Sequence, residues 1–242
     1  MSRAGNDYGL ADEERSGWLI PLGVFFVTAC LSALVLAYYF GPGPAGLAHE
    51  LPSPTDATRR IALSVGDLRW HIPANYLPYP SARNGGERQE VTLAAFLPEL
   101  SGFGLGLADE FYANAPDSPV LFVTLKSGRI PLVDEQRLAR IYLPQVQDGD
   151  GQNGPYGLRQ YAFRPESGYH NQDLFFGMSD AGPASLLCDK PDQDTPSPNC
   201  LRDFPFGHGL AISYRFKRER LAAWRQIDKA VRALVAGFVD KG

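Results

Sequence analysis

Trp18-Leu-Ile-Pro-Leu-Gly-Val-Phe-Phe-Val-Thr-Ala-Cys-Leu-Ser-Ala-Leu-Val-Leu-Ala-Tyr-Tyr-Phe40 runs for 23 positions without a charged residue. A bilayer core about 30 Å thick needs roughly 20 apolar helical residues at about 1.5 Å each, so the run predicts one transmembrane helix over 18–40. Trp18 stands at one edge of it and Tyr38 with Tyr39 at the other, where amphipathic rings favour the headgroup level. Pro21 falls in the first helical turn, where a missing N–H breaks no hydrogen bond. The inner-membrane lipid is therefore the expected partner of residues 18–40, and everything beyond them reads as an anchored domain.

Arg3 and Arg15 precede the run, and no Lys or Arg follows until Arg59 and Arg60. The charge rule then places residues 1–17 as a cytoplasmic tail and the C-terminal part on the exported side of the membrane. Two other readings of the run fit less well. A cleaved signal peptide has an apolar stretch of about 7 to 15 residues, shorter than this one, although Gly46-Leu47-Ala48 could serve as a processing site. Val27-Thr28-Ala29-Cys30 has the form of a lipoprotein box, yet the ten residues after Cys30 stay apolar.

Residues 41–60, with Pro42, Pro44, Pro52 and Pro54, read as a stiff Pro/Gly-rich spacer, leaving 61–242 for one periplasmic domain. The chain carries 23 basic and 27 acidic residues, and 21 against 23 of these lie beyond the tail and the span. Nothing in that balance suggests a general nucleic-acid binder. The 25 Gly and 20 Pro argue for a loop-rich domain containing strands rather than a helical bundle.

Alternation carries the fold class. Ile61, Leu63 and Val65, then Leu68, Trp70 and Ile72, alternate with polar or small residues on either side of a turn or bulge at Gly66-Asp67. Gln89 to Leu97 repeats the pattern after the reverse-turn signal Asn84-Gly85, and Val120 to Leu125 suits a central strand. Asp134 to Leu143 predicts a helix with Leu138, Ile141 and Tyr142 on one side. Leu158–Phe163, Asp173–Phe176, Ser185–Cys188 and Gly209–Phe216 read as further strands. From Glu219 to Val239, Leu221, Trp224, Ile227, Val231, Leu234, Val235 and Phe238 recur at helical steps. The expected class is α+β: a single N-terminal transmembrane helix, then one exported domain whose antiparallel or mixed sheet is covered by a C-terminal amphipathic helix. The polar face of that helix carries Arg220, Arg225, Lys229 and Arg232, a surface for anionic headgroups or an acidic partner if it is not simply solvated.

Cys188 and Cys200 are the only cysteines outside the span, and the polar, Pro-rich segment between them reads as a loop with tied ends. A disulfide closing such a loop is worth about 3 kcal/mol and fits an oxidising compartment. Metal binding by this pair would need closer Cys spacing or a nearby His.

The chemistry-bearing residues form no linear signature. Asp148-Gly-Asp-Gly-Gln-Asn-Gly154 fails as an EF-hand because Asn153 and Arg159 stand where Gly and Glu are required. His49, His71, His170 and His208 lack metal-face spacing, and no P-loop, dinucleotide fingerprint or Gly-x-Ser-x-Gly elbow occurs. No catalytic residue, metal site or cofactor is expected on these grounds. A serine hydrolase would need Ser179 or Ser185 brought to His170 or His208 by the fold. Two polar stretches remain as candidate binding residues: Tyr76, Tyr79, Arg83 and Arg88 around a Gly85-Gly86 tip, and Tyr169, His170 and Asn171. Aromatics beside Arg or Asn suit recognition of peptides or glycans.

Ile72-Pro-Ala-Asn-Tyr-Leu77, Arg83 with Gly85-Gly86, Leu97-Pro-Glu-Leu-Ser-Gly102, and Tyr214-Arg-Phe216 followed by Leu221, Trp224, Ile227 and Val231 resemble motifs of uncharacterised alphaproteobacterial transmembrane-anchored proteins, single-pass with a periplasmic domain. The resemblance implies one anchored periplasmic domain and brings no activity with it. The function expected is a non-catalytic binding or interaction module of the cell envelope, engaging an envelope protein or a glycan. Immunity against an exported toxin is one form it could take. The rival class is a periplasmic hydrolase or peptidoglycan-modifying enzyme whose site is assembled only in the fold.

Overall fold

A computed structural model describes residues 18–40, 50–128, 131–192, 194–207 and 209–240. The chain divides into two compact units, Met1–Glu50 and Leu51–Gly242. The tail 1–17, the first part of the spacer, His49 and His208 lie outside the described residues.

In the first unit, helix α1 (Leu19–Phe40) is, among the described residues, the one helix long and apolar enough to cross a membrane. Its side chains from Ile20 to Ala37 are exposed. Thr28 Oγ1 donates to Val24 O at 2.6 Å, so this hydroxyl is satisfied within the helix and needs no water. The helix has the character of an anchor or a signal segment.

The second unit begins with an extended segment that docks on the domain: Ser53 N donates to Pro78 O at 2.8 Å, and Arg83 Nη1 to Ser53 O at 2.8 Å. Residues 51–60 of the segment read as a spacer thus belong to the second unit. Strands β1 (Arg60–Val65) and β2 (Leu68–Pro73) form a hairpin whose two turn residues are Gly66 and Asp67. Gly66 has φ +56, a left-handed conformation that glycine adopts without steric cost. Strand β3 (Gly86–Arg88) pairs parallel with β1 and completes a small mixed sheet. Gly85 leads into it with φ +71, and a Cβ there would lie 2.5 Å from Ala62 O.

Next come β4 (Glu90–Phe96), the short helix α2 (Ala108–Tyr112), β5 (Val120–Ser127) and α3 (Asp134–Arg137). Strands β6 (Gln152–Asn153), β7 (Arg159–Ala162), β8 (Gln172–Ser179), β9 (Gly182–Asp189), β10 (Asn199–Pro205) and β11 (Leu210–Lys217) follow, and α4 (Trp224–Phe238) closes the chain. These strands make one eight-stranded antiparallel sheet in the order β4-β5-β11-β10-β9-β8-β7-β6. The inward residues of its strands, among them Leu93, Leu121, Val123, Leu186, Phe204, Ile212 and Phe216, bury themselves against Ile227, Val231 and Val235 of α4 and Trp70 and Ile72 of the small sheet. The class is α+β with a mostly antiparallel sheet and a C-terminal helix.

Several local expectations change. The helix expected over 134–143 is one α-turn, α3, continued by a π-turn at Leu138–Tyr142 and a 3-10 turn at Leu143–Gln145. Strand β10 starts where the sequence reads as the end of a loop, because its Arg202 sits at a core position. The Asp148 segment is an Asx turn, with Asp150 N donating to Asp148 Oδ1 at 2.9 Å, and no metal-holding cluster of His, Cys, Asp or Glu occurs among the described residues. Cys188 and Cys200 are disulfide-bonded, Cα atoms 4.0 Å apart, directly opposite each other on β9 and β10.

The basic face of α4 is tied to its own domain. Arg220 donates to Asp117 O, Arg225 Nε to Met178 O at 3.0 Å, and Lys229 Nζ lies 3.1 Å from Asp180 Oδ2. Arg232 Nε donates to Asp228 at 3.0 Å, and its guanidinium sits 3.9 Å from the centre of the Phe204 ring. These contacts help to position the helix, while Arg225 and Lys229 stay exposed as they make them.

A buried ionic chain crosses the domain. β9 and β10 share only two registered pairs, Cys188 with Cys200 and Leu187 with Leu201. Beyond them Asp134 Oδ1 accepts from Ser185 N at 2.8 Å and from Ser185 Oγ, filling the place of a neighbouring strand. Arg202, with 0% of its side chain exposed, reaches Asp134 at 3.3 Å on one side and Asp228 at 2.8 Å on the other. Tyr214 Oη donates to Asp228 Oδ1 at 3.0 Å. Burial raises the pKa of the Asp228 carboxyl, but Arg202 and Arg232 outweigh it and hold that carboxyl below its usual range.

Candidate functional site

The pleat sends alternate residues to the face of the large sheet away from α4, and the register sets them in rows. One row reads Glu90, Lys126, Ala211, Pro205; the next reads Thr92, Thr124, Ser213, Asp203; a third reads Ala94, Phe122, Arg215, Leu201. Part of this outer face is covered. Phe103 and Phe111, the latter on α2, pack over Ala94, Phe96 and Val120 at one end. The 138–146 segment and Tyr169 pack with Tyr161, Phe163 and Leu174 at the other. The rows between these covers stay open.

Where the open rows meet α3 and the segment after it lies a half-open cavity of about 710 Å³. Thr124, Lys126, Ala211 and Ser213 form its floor, Tyr142 and Tyr169 an aromatic wall, and Leu132 and Ile141 an aliphatic one. The two rings meet edge to face with centroids 5.7 Å apart, and Tyr169 also stacks on Phe163 at 5.0 Å. Arg137 is buried, donates to Leu132 O at 3.2 Å, and faces Asp203 across 3.6 Å. Lys126 and Glu90 pair at 2.9 Å on the exposed rim. Burial pushes the Tyr142 phenol up to about 12 against the opposing pull of Arg137, so it is a neutral hydrogen-bonding group throughout the physiological range. With its charges paired and its walls aromatic and aliphatic, the cavity is built for contact and hydrogen bonding.

The residues singled out in the sequence divide. Tyr169 lines this cavity, and Tyr79 borders the adjoining groove above Thr92 and Phe122. Tyr76 is structural: its hydroxyl donates to Leu100 O at 2.9 Å and its ring packs on Phe238. Arg83 holds Ser53 O, and Arg88 donates to Ser81 O at 2.6 Å and Gly85 O at 3.3 Å, so both staple main chain. His170 and Asn171 are exposed on a turn; His170 Nδ1 lies 2.9 Å from Ser167 O, and Asn171 O accepts from Lys190 N. Among the described residues, neither Ser179 nor Ser185 hydrogen-bonds a histidine, and His208 lies outside them. Ser185 Oγ is bonded to Asp134, and Ser179 Oγ donates to Gly182 O at 2.9 Å.

Sequence reasoning missed Arg137, Tyr142, Asp203 and Ser213. Only Tyr142 carried a legible signal, as part of the apolar side of the 134–143 helix, and the rest depend on strand register.

No protein-family profile and no curated protein matches the chain. Two solved structures are similar to it. One is Smlt3025, an immunity protein of the Stenotrophomonas maltophilia type IV secretion system, at TM-score 0.54 and 17% identity, covering 80% of this chain and 100% of that one. The other is the Neisseria meningitidis iron-regulated outer membrane lipoprotein FrpD, at TM-score 0.48 and 10% identity, covering 78% of this chain and 98% of that one. The domain shares its fold with the first.

Proposed function

We propose that this chain is a membrane-anchored binding module of the bacterial cell envelope, of the immunity type. In this reading α1 holds it in the inner membrane with its N-terminus cytoplasmic, and the periplasmic domain engages one protein partner through the outer face of its large sheet. The observation that carries the reading is that face: open rows between two aromatic covers, with a cavity whose charges are already paired. A partner that excludes water there gains from the half-buried Tyr169 and Phe122, aromatic residues of the kind enriched at interface centres. The fold shared with an immunity protein supports the same class, as does the resemblance to anchored periplasmic proteins in the motifs between Ile72 and Val231. The disulfide suits an oxidising compartment.

The test is purification of the tagged full-length protein in mild detergent from its own host, with mass spectrometry of co-purifying species against a control carrying residues 1–60 alone. A stoichiometric protein seen only with the full chain is the expected result. Recovery of peptidoglycan fragments in place of a protein would overturn the protein-partner reading, as would recovery of nothing above the control.

A further inference from the structure

Beyond the third row of the outer face the register places Lys217 opposite Asn199. Lys217 is 7% exposed, and it floors a small pocket of about 190 Å³. Arg215 stands two residues away on the same face of β11, its guanidinium 4.7 Å from the centre of the Phe122 ring. The other lining groups are Asn114, Ser118, Asn199, Tyr112 and apolar side chains, none of them acidic. Lys217 Nζ donates to Asn114 Oδ1 at 2.6 Å and Ser197 O at 3.2 Å, two neutral acceptors. Among the described residues, no carboxylate lies within ion-pair distance of either cation. Elsewhere in the domain the buried cations are matched: Arg202 has Asp134 and Asp228, and Arg137 has Asp203. A buried ammonium held by neutral acceptors beside a second cation is costly unless an anion completes it.

We propose that the Lys217 and Arg215 pocket is a carboxylate-binding site that receives an aspartate or glutamate side chain from the protein partner. The step from carboxylate to protein rests on the function proposed above. Burial lowers the pKa of the Lys217 ammonium, and Arg215 pushes it the same way. The surroundings favour a protein acid over a lipid headgroup. Phe111, Val120 and Phe122 line the pocket, Tyr112 is 64% exposed at its edge, and Leu201 is partly exposed directly across from Arg215. A charge ringed by aromatic and aliphatic contacts is the usual composition of an interface centre.

Zero-length carbodiimide coupling tests the site directly, since an activated carboxylate seated in the pocket forms an amide with Lys217. The full-length protein in phosphatidylcholine nanodiscs is treated with a short blocked peptide carrying one glutamate, and coupled lysines are located by mass spectrometry. Coupling at Lys217 should exceed that at the exposed Lys126 and Lys229 by about tenfold, although those side chains are 63% and 73% exposed. Arg215→Gln, a change at an exposed residue, should reduce it by a similar factor, beyond any fall in Lys217 labelling by an uncharged acylating reagent, with the melting temperature near that of the native protein. Coupling that follows exposure alone, or is unchanged in R215Q, overturns the site. Protection of Lys217 by phosphatidylglycerol nanodiscs but not by phosphatidylcholine overturns the protein source in favour of lipid. Because the peptide assay needs no partner, selective coupling without any captured protein would retain the site while rejecting the proposed function. Partner capture undiminished in Lys217→Met would do the reverse.

Discussion

Arg202 Nε lies 2.8 Å from Asp228 Oδ1, joining strand β10 to helix α4 through the middle of the core. With Asp134 and Arg232 at its ends this pair makes a chain of alternating charge that is almost wholly out of water. Such a chain adds little stability relative to a hydrophobic equivalent, but removing one member leaves a buried charge without its partner.

Asp228→Ala should therefore destabilise the domain by about 3–5 kcal/mol, measured by denaturant unfolding. The native Asp228 carboxyl is held below its ordinary value of about 3.9, so its contribution is present above that pH and is lost as pH falls through the lower folded value. Acid titration of stability should show this loss below about pH 4 in the native protein, and a smaller one in Asp228→Asn.

Tyr142 and Tyr214 predict the alkaline side. Burial raises both phenols, Tyr142 to about 12 and Tyr214 well above its usual value. A raised folded pKa gives stability that is complete below the unfolded value near 10 and is lost as pH rises towards the folded one. Ultraviolet difference absorbance should show a tyrosine titrating at about 12 that disappears in Tyr142→Phe.

The disulfide can be tested alone. Replacing Cys188 and Cys200 together by Ser should cost about 2–4 kcal/mol, since the bond closes a loop with a sequence separation of 12. Thiol labelling of the denatured, unreduced domain should modify neither cysteine; full labelling would refute the bond.

Ser213 is half-buried in the floor of the large cavity, between Thr124 and Asp203. Ser213→Arg fills that floor from the outer side and touches no core packing. Partner recovery should fall by more than about tenfold while the melting temperature stays near that of the native protein. Undiminished recovery would move the interface off this face.

The elements that were readable from sequence are those governed by local periodicity. The uncharged run became α1, the alternation in Arg60–Val65 and Leu68–Pro73 became a hairpin, and the apolar stripe expected over 219–239 became α4 from Trp224 onward, preceded by a 3-10 turn at Arg218–Ala223. The cysteine pair was legible because the chain beyond α1 offers no other partner. β10 escaped because Cys-Leu-Arg-Asp-Phe places a charge where alternation demands a hydrophobe, and its neutralising residues are 68 and 26 positions away. Of the candidate site, Tyr169 was visible as an aromatic among polar neighbours. Arg83 and Arg88 carried the same surface signal but bind main-chain carbonyls, a use that composition does not distinguish from ligand binding. The rows of the outer face exist only once strands from residues 90 to 217 are in register.

The narrow contact between β9 and β10 gives the large sheet a seam. On one side lie β4, β5, β11 and β10, and on the other β9, β8, β7 and β6. Two residue pairs cross it, fastened by a covalent bond at Cys188 and Cys200 and, farther along, by the carboxylate of Asp134 lodged between Ser185 and Arg202. The two halves of the sheet are thus joined by one covalent bond and one buried carboxylate as much as by strand pairing, so that side-chain chemistry carries part of what backbone hydrogen bonds carry between the other central strands.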